Sequence, residues 1–392
     1  MKLRDICEYR NEKIGAEGIT PESYVSTESM LPNRSGIAAA ASIPTSGKVN
    51  LYHQGDTLVS NIRPYFKKIW QASRNGCCSN DILVFQPKDN CNGDYLHWVL
   101  SNETFFDYVT ATAKGTKMPR GDKAAIMQFS VPDFNANQQL KVASLLNPIQ
   151  KKIELNAKLN GYLLELAAAR FESALEAKSK TVKFGDVVAL EDSKRVPLNS
   201  RDRKARKGPY PYYGATSVMD YVDDYLFDEI RILLGEDGTV VDSEGKPILQ
   251  YVWGKYWVNN HAHILAASGE YSLEAIYVAL KRTAINHVVT GAVQMKISQR
   301  NLKSLELEMP SPESLGYLQD LFTAYRSNQD ENAKLASLRD TLLPKLMSGE
   351  IDVSKVDLMQ LNSHLAMLMP PFDMRKRYRI EKNRLRLWFC AG

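Results

Sequence analysis

The sequence predicts a mixed α/β (α+β) fold in two globular domains, a tandem duplication in which each half closes with a long coiled-coil helix. Asn156-Ala157-Lys158-Leu159 recurs as Asn332-Ala333-Lys334-Leu335, 176 residues further on. That spacing is far beyond the roughly 20–50 residues of stacked solenoid repeats, so each unit is a domain in its own right. Upstream of each copy the halves keep step. Gly115-Thr116-Lys117-Met118 leads to residues 126–132 much as residues 291–296 lead to residues 302–310. The earlier stretches, residues 1–114 and 181–290, share little. A chain that repeats its frame and varies the rest looks built to present two different surfaces at a fixed separation.

In the first half, β-rich runs at residues 57–62 and 81–86 flank the turn-forming Arg74-Asn75-Gly76, and a helix is expected over residues 95–109. After Pro132, Val142, Leu146, Ile149, Ile153, Asn156, Leu159, Leu163 and Leu166 step by three or four residues, the period of an amphipathic helix with a coiled-coil seam. Pro148 falls inside this run, which allows either a kink or a helix that begins near it. The second half repeats the plan, with strands at residues 184–190, 230–234, 248–253 and 263–266, turns at Asp237-Gly238 and Glu244-Gly245, and a helix over residues 273–281. Leu318, Leu321, Tyr325, Asn328, Asn332, Leu335, Leu338 and Leu342 then restore the seam, until Pro344 and Gly349 bend and end it. The expected parts are a domain at 1–135, a spacer helix at 136–180, a second domain at 181–312, a second spacer helix at 313–350 and a tail at 351–392. Helices of this size reach on the order of 50–60 Å, and side by side they make a rod.

Asn156 and Asn332 fall at equivalent positions on the seam. Either they form a buried pair that fixes register at some cost in stability, or the helix phase drifts and both are solvated. The tail carries Pro370-Pro371 and a basic run from Arg375 to Arg386 with Tyr378 and Trp388. It reads as a disordered extension or, alternatively, as a nucleic-acid-binding arm.

With 392 residues, 44% apolar and 24% charged, the chain can bury a core in each of two or three domains. No apolar run reaches the roughly 18 residues of a membrane span, and Met1-Lys2-Leu3-Arg4-Asp5 lacks a signal-peptide core, so a cytoplasmic protein without membrane association is expected. Cys7, Cys77, Cys78, Cys91 and Cys390 suit neither a disulfide framework nor a CxxC metal site. A net charge of +5 permits a polyanionic partner without demanding one.

Catalytic motifs are scarce. There is no GxxxxGK[ST] loop and no GxGxxG strand-to-helix turn, which argues against ATP or dinucleotide binding. Met369-Pro370-Pro371-Phe372 is the nearest string to an adenine-methylation loop, but its methionine cannot accept from an adenine amino group. Pro132-Asp133 and Glu176-Ala177-Lys178 supply the letters of a nuclease motif with a long helix between them. His261 and His263 alternate as strand ligands might, yet without acidic neighbours in sequence they read better as hydrogen-bonded at a strand edge. Gly235-Glu236-Asp237-Gly238 reads as a β-turn before it reads as a cation loop.

What remains is basic and polar residues among aromatics. In the first half these are Asn61, Arg63, Tyr65, Lys67 and Lys68 after a strand, and Lys114, Lys117, Arg120 and Lys123 around Gly115 and Gly121. In the second they are Arg201, Arg203, Lys204, Arg206 and Lys207 leading into Tyr210, Tyr212 and Tyr213, then Lys296, Gln299 and Arg300. Loop lysines and arginines suit phosphates, while Arg, Asn, Gln and Tyr can reach base edges. Any one cluster is more often a solvated surface. Lys117 and Lys296 stand out from the rest because they recur before each domain exit.

At this point the sequence resembles the specificity subunits of type I restriction-modification systems. The resemblance is carried by residues 296–305 (Lys296-Ile297-Ser298-Gln299-Arg300-Asn301-Leu302-Lys303-Ser304-Leu305), Pro310, and the helix end from Leu338-Arg339-Asp340 to Gly349-Glu350-Ile351. Tyr210-Pro211-Tyr212-Tyr213-Gly214-Ala215 and Leu234-Gly235-Glu236-Asp237-Gly238 add to it, with a looser match at Gly115–Pro119 and Pro132; the tail after Leu358 departs from the family. The resemblance implies two target-recognition domains in pseudo-twofold arrangement, separated by two antiparallel helices. Each domain would read half of a bipartite double-stranded DNA target, with the helices setting the gap. The chain itself would hold no active site and no cofactor. Two methylation subunits would use S-adenosylmethionine, and two restriction subunits Mg2+ and ATP. Alternatives are a silent cassette of the same family, a stand-alone nucleic-acid-modifying enzyme, and a protein scaffold.

Overall fold

The computed structural model describes residues 1–291 and 295–356. It divides into two compact units, Met1–Glu154 with Ala333–Gly392, and Leu155–Asn332. The long helices Ala136–Ala177 and Tyr317–Ser348 each contribute a segment to both units. Most of the expected tail, with its basic run and Met369-Pro370-Pro371-Phe372, lies outside the described residues; a short 3-10 turn, Val353–Lys355, follows the second helix.

The first unit is built on an antiparallel sheet in the order Cys7–Tyr9, Ile82–Pro87, Thr57–Ser60, Ile69–Gln71. Ile82, Leu83, Val84 and Phe85 are all buried, so this strand is a continuous apolar run and not an alternating one. Both of its faces are covered. Val59, Leu83 and Phe85 pack on the helices Gly93–Ser101 and Glu103–Ala111 and on Val142, Leu146, Leu343 and Leu346 of the long helices. Leu58, Ile82 and Val84 pack on a second sheet, whose order is Lys13–Gly15, Lys48–Tyr52, Gly76–Cys78, Tyr24–Val25. The expected helix at 95–109 is two helices because Asn102, in extended conformation, caps the second by accepting from the Thr104 N–H.

The second unit repeats the arrangement. Its first sheet runs Val188–Leu190, Ala262–Ala267, Arg231–Gly235, Leu249–Val252. Ile232, Leu234 and Leu265 face the helix Leu273–Arg282 and Ala167, Phe171 and Phe322 of the long helices. Leu233, Ala262 and Ile264 face the other sheet, ordered Val218–Val222, Lys207–Tyr213, Lys255–Val258, Phe227–Asp228. The strand expected from residue 184 begins only at Val188. Phe184 and Val187, three residues apart, point one helical turn into the core, so Phe184–Val187 is a short helix.

The stretches that share little sequence therefore share a topology. In both second sheets three strands correspond: Lys48–Tyr52, Gly76–Cys78 and Tyr24–Val25 in one, Phe227–Asp228, Lys255–Val258 and Lys207–Tyr213 in the other, each with the last pair parallel. The fourth strand differs. Lys13–Gly15 joins the edge at Lys48–Tyr52, whereas Val218–Val222 joins the opposite edge as a hairpin with Lys207–Tyr213. Side chains adjust to match: Gly76 leaves room for the Tyr52 hydroxyl, whose oxygen would lie 2.4 Å from an added Cβ, while Tyr256 at the corresponding position stacks on Phe227 at 5.4 Å.

Both helices run through their prolines. Pro148 lies on the exposed side, where the carbonyl it leaves free is open to solvent. Tyr317–Ser348 continues past Pro344 and stops at Gly349, whose φ of +79° suits a left-handed helix end. Within the second unit the helices are antiparallel. Asn156 is buried and its amide donates to Asn332 Oδ1 at 3.0 Å and to Glu331 Oε2 at 2.7 Å. One turn along, Asn160 donates to the Tyr325 carbonyl at 3.2 Å and accepts from Asn328 at 2.8 Å.

Asn160→Ala is expected to cost about 1–3 kcal/mol in chemical denaturation, because it leaves buried polar groups without partners. Leu155→Ala, on the solvent face of the same helix, should stay within about 0.5 kcal/mol.

Candidate nucleic-acid interface

In the first unit the two basic clusters meet where the strand Thr57–Ser60 leaves its sheet. Ile62 bridges Arg120, the Arg63 N–H donates to the Pro119 carbonyl at 2.8 Å, and the Gly121 N–H donates to the Asn61 carbonyl at 3.2 Å. Arg63 and Lys67 bracket the 3-10 turn Pro64–Phe66, both with left-handed φ, +49° and +51°. The turn pushes Tyr65 and Phe66 outward as a tilted pair with centroids 4.8 Å apart. Several cations here already have partners. Lys67 pairs with Glu103, Lys114 with Asp122 at 2.6 Å and Arg120 with Asp81 at 3.1 Å, and Lys68 donates to the Thr27 carbonyl at 2.6 Å. Among the described residues Arg63, Lys117 and Lys123 make no ion pair. Asn61 is buried, with its Oδ1 unpartnered.

The bridges also set the correspondence between halves. Lys114 pairs with Arg120 as Thr290 pairs with Lys296, and Asp122 caps its helix as Ser298 caps the next. Arg120, not Lys117, thus occupies the position of Lys296, at the same 176-residue offset as the seam asparagines.

In the second unit, Arg203, Arg206 and Lys255 lie over the rings of Tyr212, Trp257 and Tyr225 at 5.3, 4.9 and 4.5 Å. Arg206 also pairs with Asp223 at 2.9 Å, and Asp220 holds Lys207 and, at 3.4 Å, Arg203. Lys204 is exposed and unpaired among the described residues, as is Arg300. Tyr212 turns inward. It is 1% exposed, and its hydroxyl accepts from the Leu198 N–H at 2.9 Å. Tyr213 is partly buried, its ring edge-on to Tyr256 at 5.8 Å, and burial raises its pKa. Sequence reading missed Lys255 and Trp257; a cation and an indole two residues apart, on one side of a strand, were the available signal.

Gln299 is exposed, but its side-chain amide is tied to a buried network. It donates to Asp192 Oδ2 at 2.6 Å; the same oxygen lies 2.6 Å from His263 Nδ1, while His263 Nε2 lies 2.9 Å from the Ile297 carbonyl. Arg195 reaches Glu236 at 2.7 Å, and Lys296 reaches Glu236 at 3.4 Å. The acidic partners that His263 lacked in sequence thus arrive from elsewhere in the chain, Asp192 from the 3-10 turn Asp192–Lys194 and Glu236 from just past the strand Arg231–Gly235. Asp192, Glu236 and His263 offer atoms within 4.8 Å of one another, as ligands would. Both imidazole nitrogens face acceptors, however, and Arg195 supplies the positive charge, so the trio reads as a hydrogen-bonded lock on the domain exit. His261 pairs with Asp237 at 2.7 Å. Burial lowers the His263 pKa, but Asp192, the Ile297 carbonyl and Glu236 outweigh it and hold the pKa above the ordinary histidine value. Asp192 shifts the other way: burial raises its pKa, and His263 together with the Ile264 N–H brings it below the usual range.

Cys7, Cys77, Cys78 and Cys91 are buried free thiols; burial pushes Cys91 up to about 12. No helix among the described residues is long and apolar enough to cross a membrane.

Residues 176–335 match the family described as type I restriction modification DNA specificity domain. The chain is 29% identical to a putative type I restriction enzyme specificity subunit of Haemophilus influenzae over 36% of this chain, about a third (35%) of that relative's length. It is 20% identical to a type I restriction enzyme specificity subunit of Methanocaldococcus jannaschii over 69% of this chain and 72% of that one. Its fold is similar to the crystal structure of a type I restriction-modification S subunit from M. genitalium, with a TM-score of 0.55 and 18% identity, covering 88% of this chain and 95% of that one.

A raised histidine pKa gives stability that is complete below the unfolded value of about 6.5 and is lost as pH rises through the folded value. The melting-temperature gap between the wild type and His263→Gln should therefore narrow from pH 6 to pH 9; a constant gap would remove His263 as the cause.

Proposed function

We infer that this chain is a type I restriction-modification specificity subunit that reads DNA sequence for enzymatic partners; its family domain and its relatives support the reading. The observation that carries the reading furthest is the duplication itself: one two-sheet frame used twice, with a different edge strand and different open cations in each copy. One unit reads one half of a bipartite double-stranded DNA target, the other unit reads the second half, and the long helices set the gap. Half-sites of opposite orientation would follow from a twofold relation of the kind the family resemblance implies, and unlike surfaces make the target asymmetric.

The chain supplies recognition without catalysis and carries no cofactor of its own. Two methylation subunits bring S-adenosylmethionine and flip an adenine in each half-site. Two restriction subunits bring ATP and Mg2+, and the assembly works in the cytoplasm. Open lysines such as Lys117, Lys123 and Lys204 contact phosphate, which holds register without reading bases.

Lys117→Ala should weaken DNA binding about equally for all sequences and reduce the slope of log K against log salt by about 1. Exchanging residues 181–290 for the corresponding stretch of another such subunit should change one half-site and leave the other intact, as read by selection from a random duplex pool. A change in both half-sites, or in neither, would reject the division of labour.

A further inference from the structure

The strand ending at Ser60 in the first unit and the strand ending at Gly235 in the second leave their sheets along the same path. Ser60 pairs with Ile82 and Gly235 with Ala262; two residues on, Ile62 bridges Arg120 and Asp237 bridges Lys296. The next N–H donates across the gap in both, Arg63 to Pro119 at 2.8 Å and Gly238 to Met295 at 3.0 Å. Arg63 and Gly238 are therefore one backbone position, and both are left-handed, at φ +49° and +82°.

Glycine adopts that conformation freely and arginine does so under strain. The strain is held in place by neighbours. Among the described residues only Asn33, Arg34, Arg63 and Lys67 are non-glycines with positive φ. They belong to two loops tied together by Asn33 N–H to the Phe66 carbonyl at 2.8 Å and Arg34 N–H to the Lys67 carbonyl at 2.9 Å. Arg34 is anchored in turn by the Ser101 carbonyl at 2.8 Å and Asp340 at 3.3 Å. A strained residue that its surroundings over-determine is a mark of function.

The side chain points the same way. Among the described residues the Arg63 guanidinium has no carboxylate and no hydrogen-bond partner, and its Nε is buried. Its neighbours Lys67, Lys114 and Arg120 are all ion-paired. An unpaired guanidinium on a fixed backbone, beside a cationic loop, fits the O6 and N7 acceptors of guanine, which take two parallel N–H donors in the major groove.

We propose that Arg63 reads a guanine in the half-site of the first unit through its paired N–H groups, and that the second unit, with Gly238, makes no such contact at the corresponding base. This rests on the DNA-reading function proposed above and assigns one base to one side chain. Arg63→Gly is the direct test, since glycine relieves the backbone and the fold should keep or raise its melting temperature. The wild type, Arg63→Gly and Arg63→Lys, each purified with methylation subunits, are put through selection from a random duplex pool. Expected is a bipartite motif for the wild type, loss of about tenfold or more in preference for guanine at one position for Arg63→Gly, and an unchanged second half-site. Arg63→Lys keeps the charge but not the fork, so it should lose the same preference while retaining most of the affinity. If the wild type selects a motif and Arg63→Gly selects the same one, the assignment of Arg63 is wrong and DNA reading stands. If the wild type selects no motif, DNA reading fails and the assignment with it.

Discussion

A buried amide must be hydrogen-bonded, and on a helix seam that condition admits few registers. The buried Asn156 and Asn160 meet it together: Asn156 against the partly buried Asn332 and Glu331, Asn160 against the partly buried Asn328 and the Tyr325 carbonyl. An apolar seam of leucines tolerates a slip of one turn because one leucine resembles the next, whereas a slip here strands two buried amides at once, each costing about 1–3 kcal/mol. Asn156 and Asn332 are also equivalent by the repeat, so each helix meets the other at matching points. In the proposed function, a fixed register is what would make the helices a ruler.

The two-sheet frame answers a second constraint. A sheet strand buried on both faces needs cover on both, and in each unit helices supply one side and a small second sheet the other. That second sheet keeps three strands and varies the fourth, on opposite edges in the two units. Variation is tolerated at an edge because no further strand depends on its pairing. The exposed Val218, Met219 and Tyr221 of one unit therefore have no structural counterpart on the corresponding edge of the other.

The long helices and the central strands were readable in the sequence because burial imposes a period there: 3.6 residues at Val142, Leu146 and Ile149, a continuous run at 82–85. The small strands were not. Lys13–Gly15, Tyr24–Val25 and Phe227–Asp228 are only two or three residues long and are held by pairing partners distant in sequence. Candidate site residues divided on the same ground. Lys117 and Lys204 stand open, but the tyrosine at 212 faces inward and the exposed glutamine at 299 commits its amide to Asp192, because a polar residue beside a basic run looks alike whether it serves the surface or a buried network. The Asp192–His263–Arg195–Glu236 cluster was invisible for the same reason, being assembled from three separated segments.

The central claim, that one chain reads two unlike half-sites for a methylating complex, is tested most directly in the host. Methyladenine should be mapped across the genome with and without this gene. The account predicts a bipartite, asymmetric methyladenine motif with a fixed unspecific gap that disappears when the gene is deleted. A methylation pattern identical in both strains would contradict it.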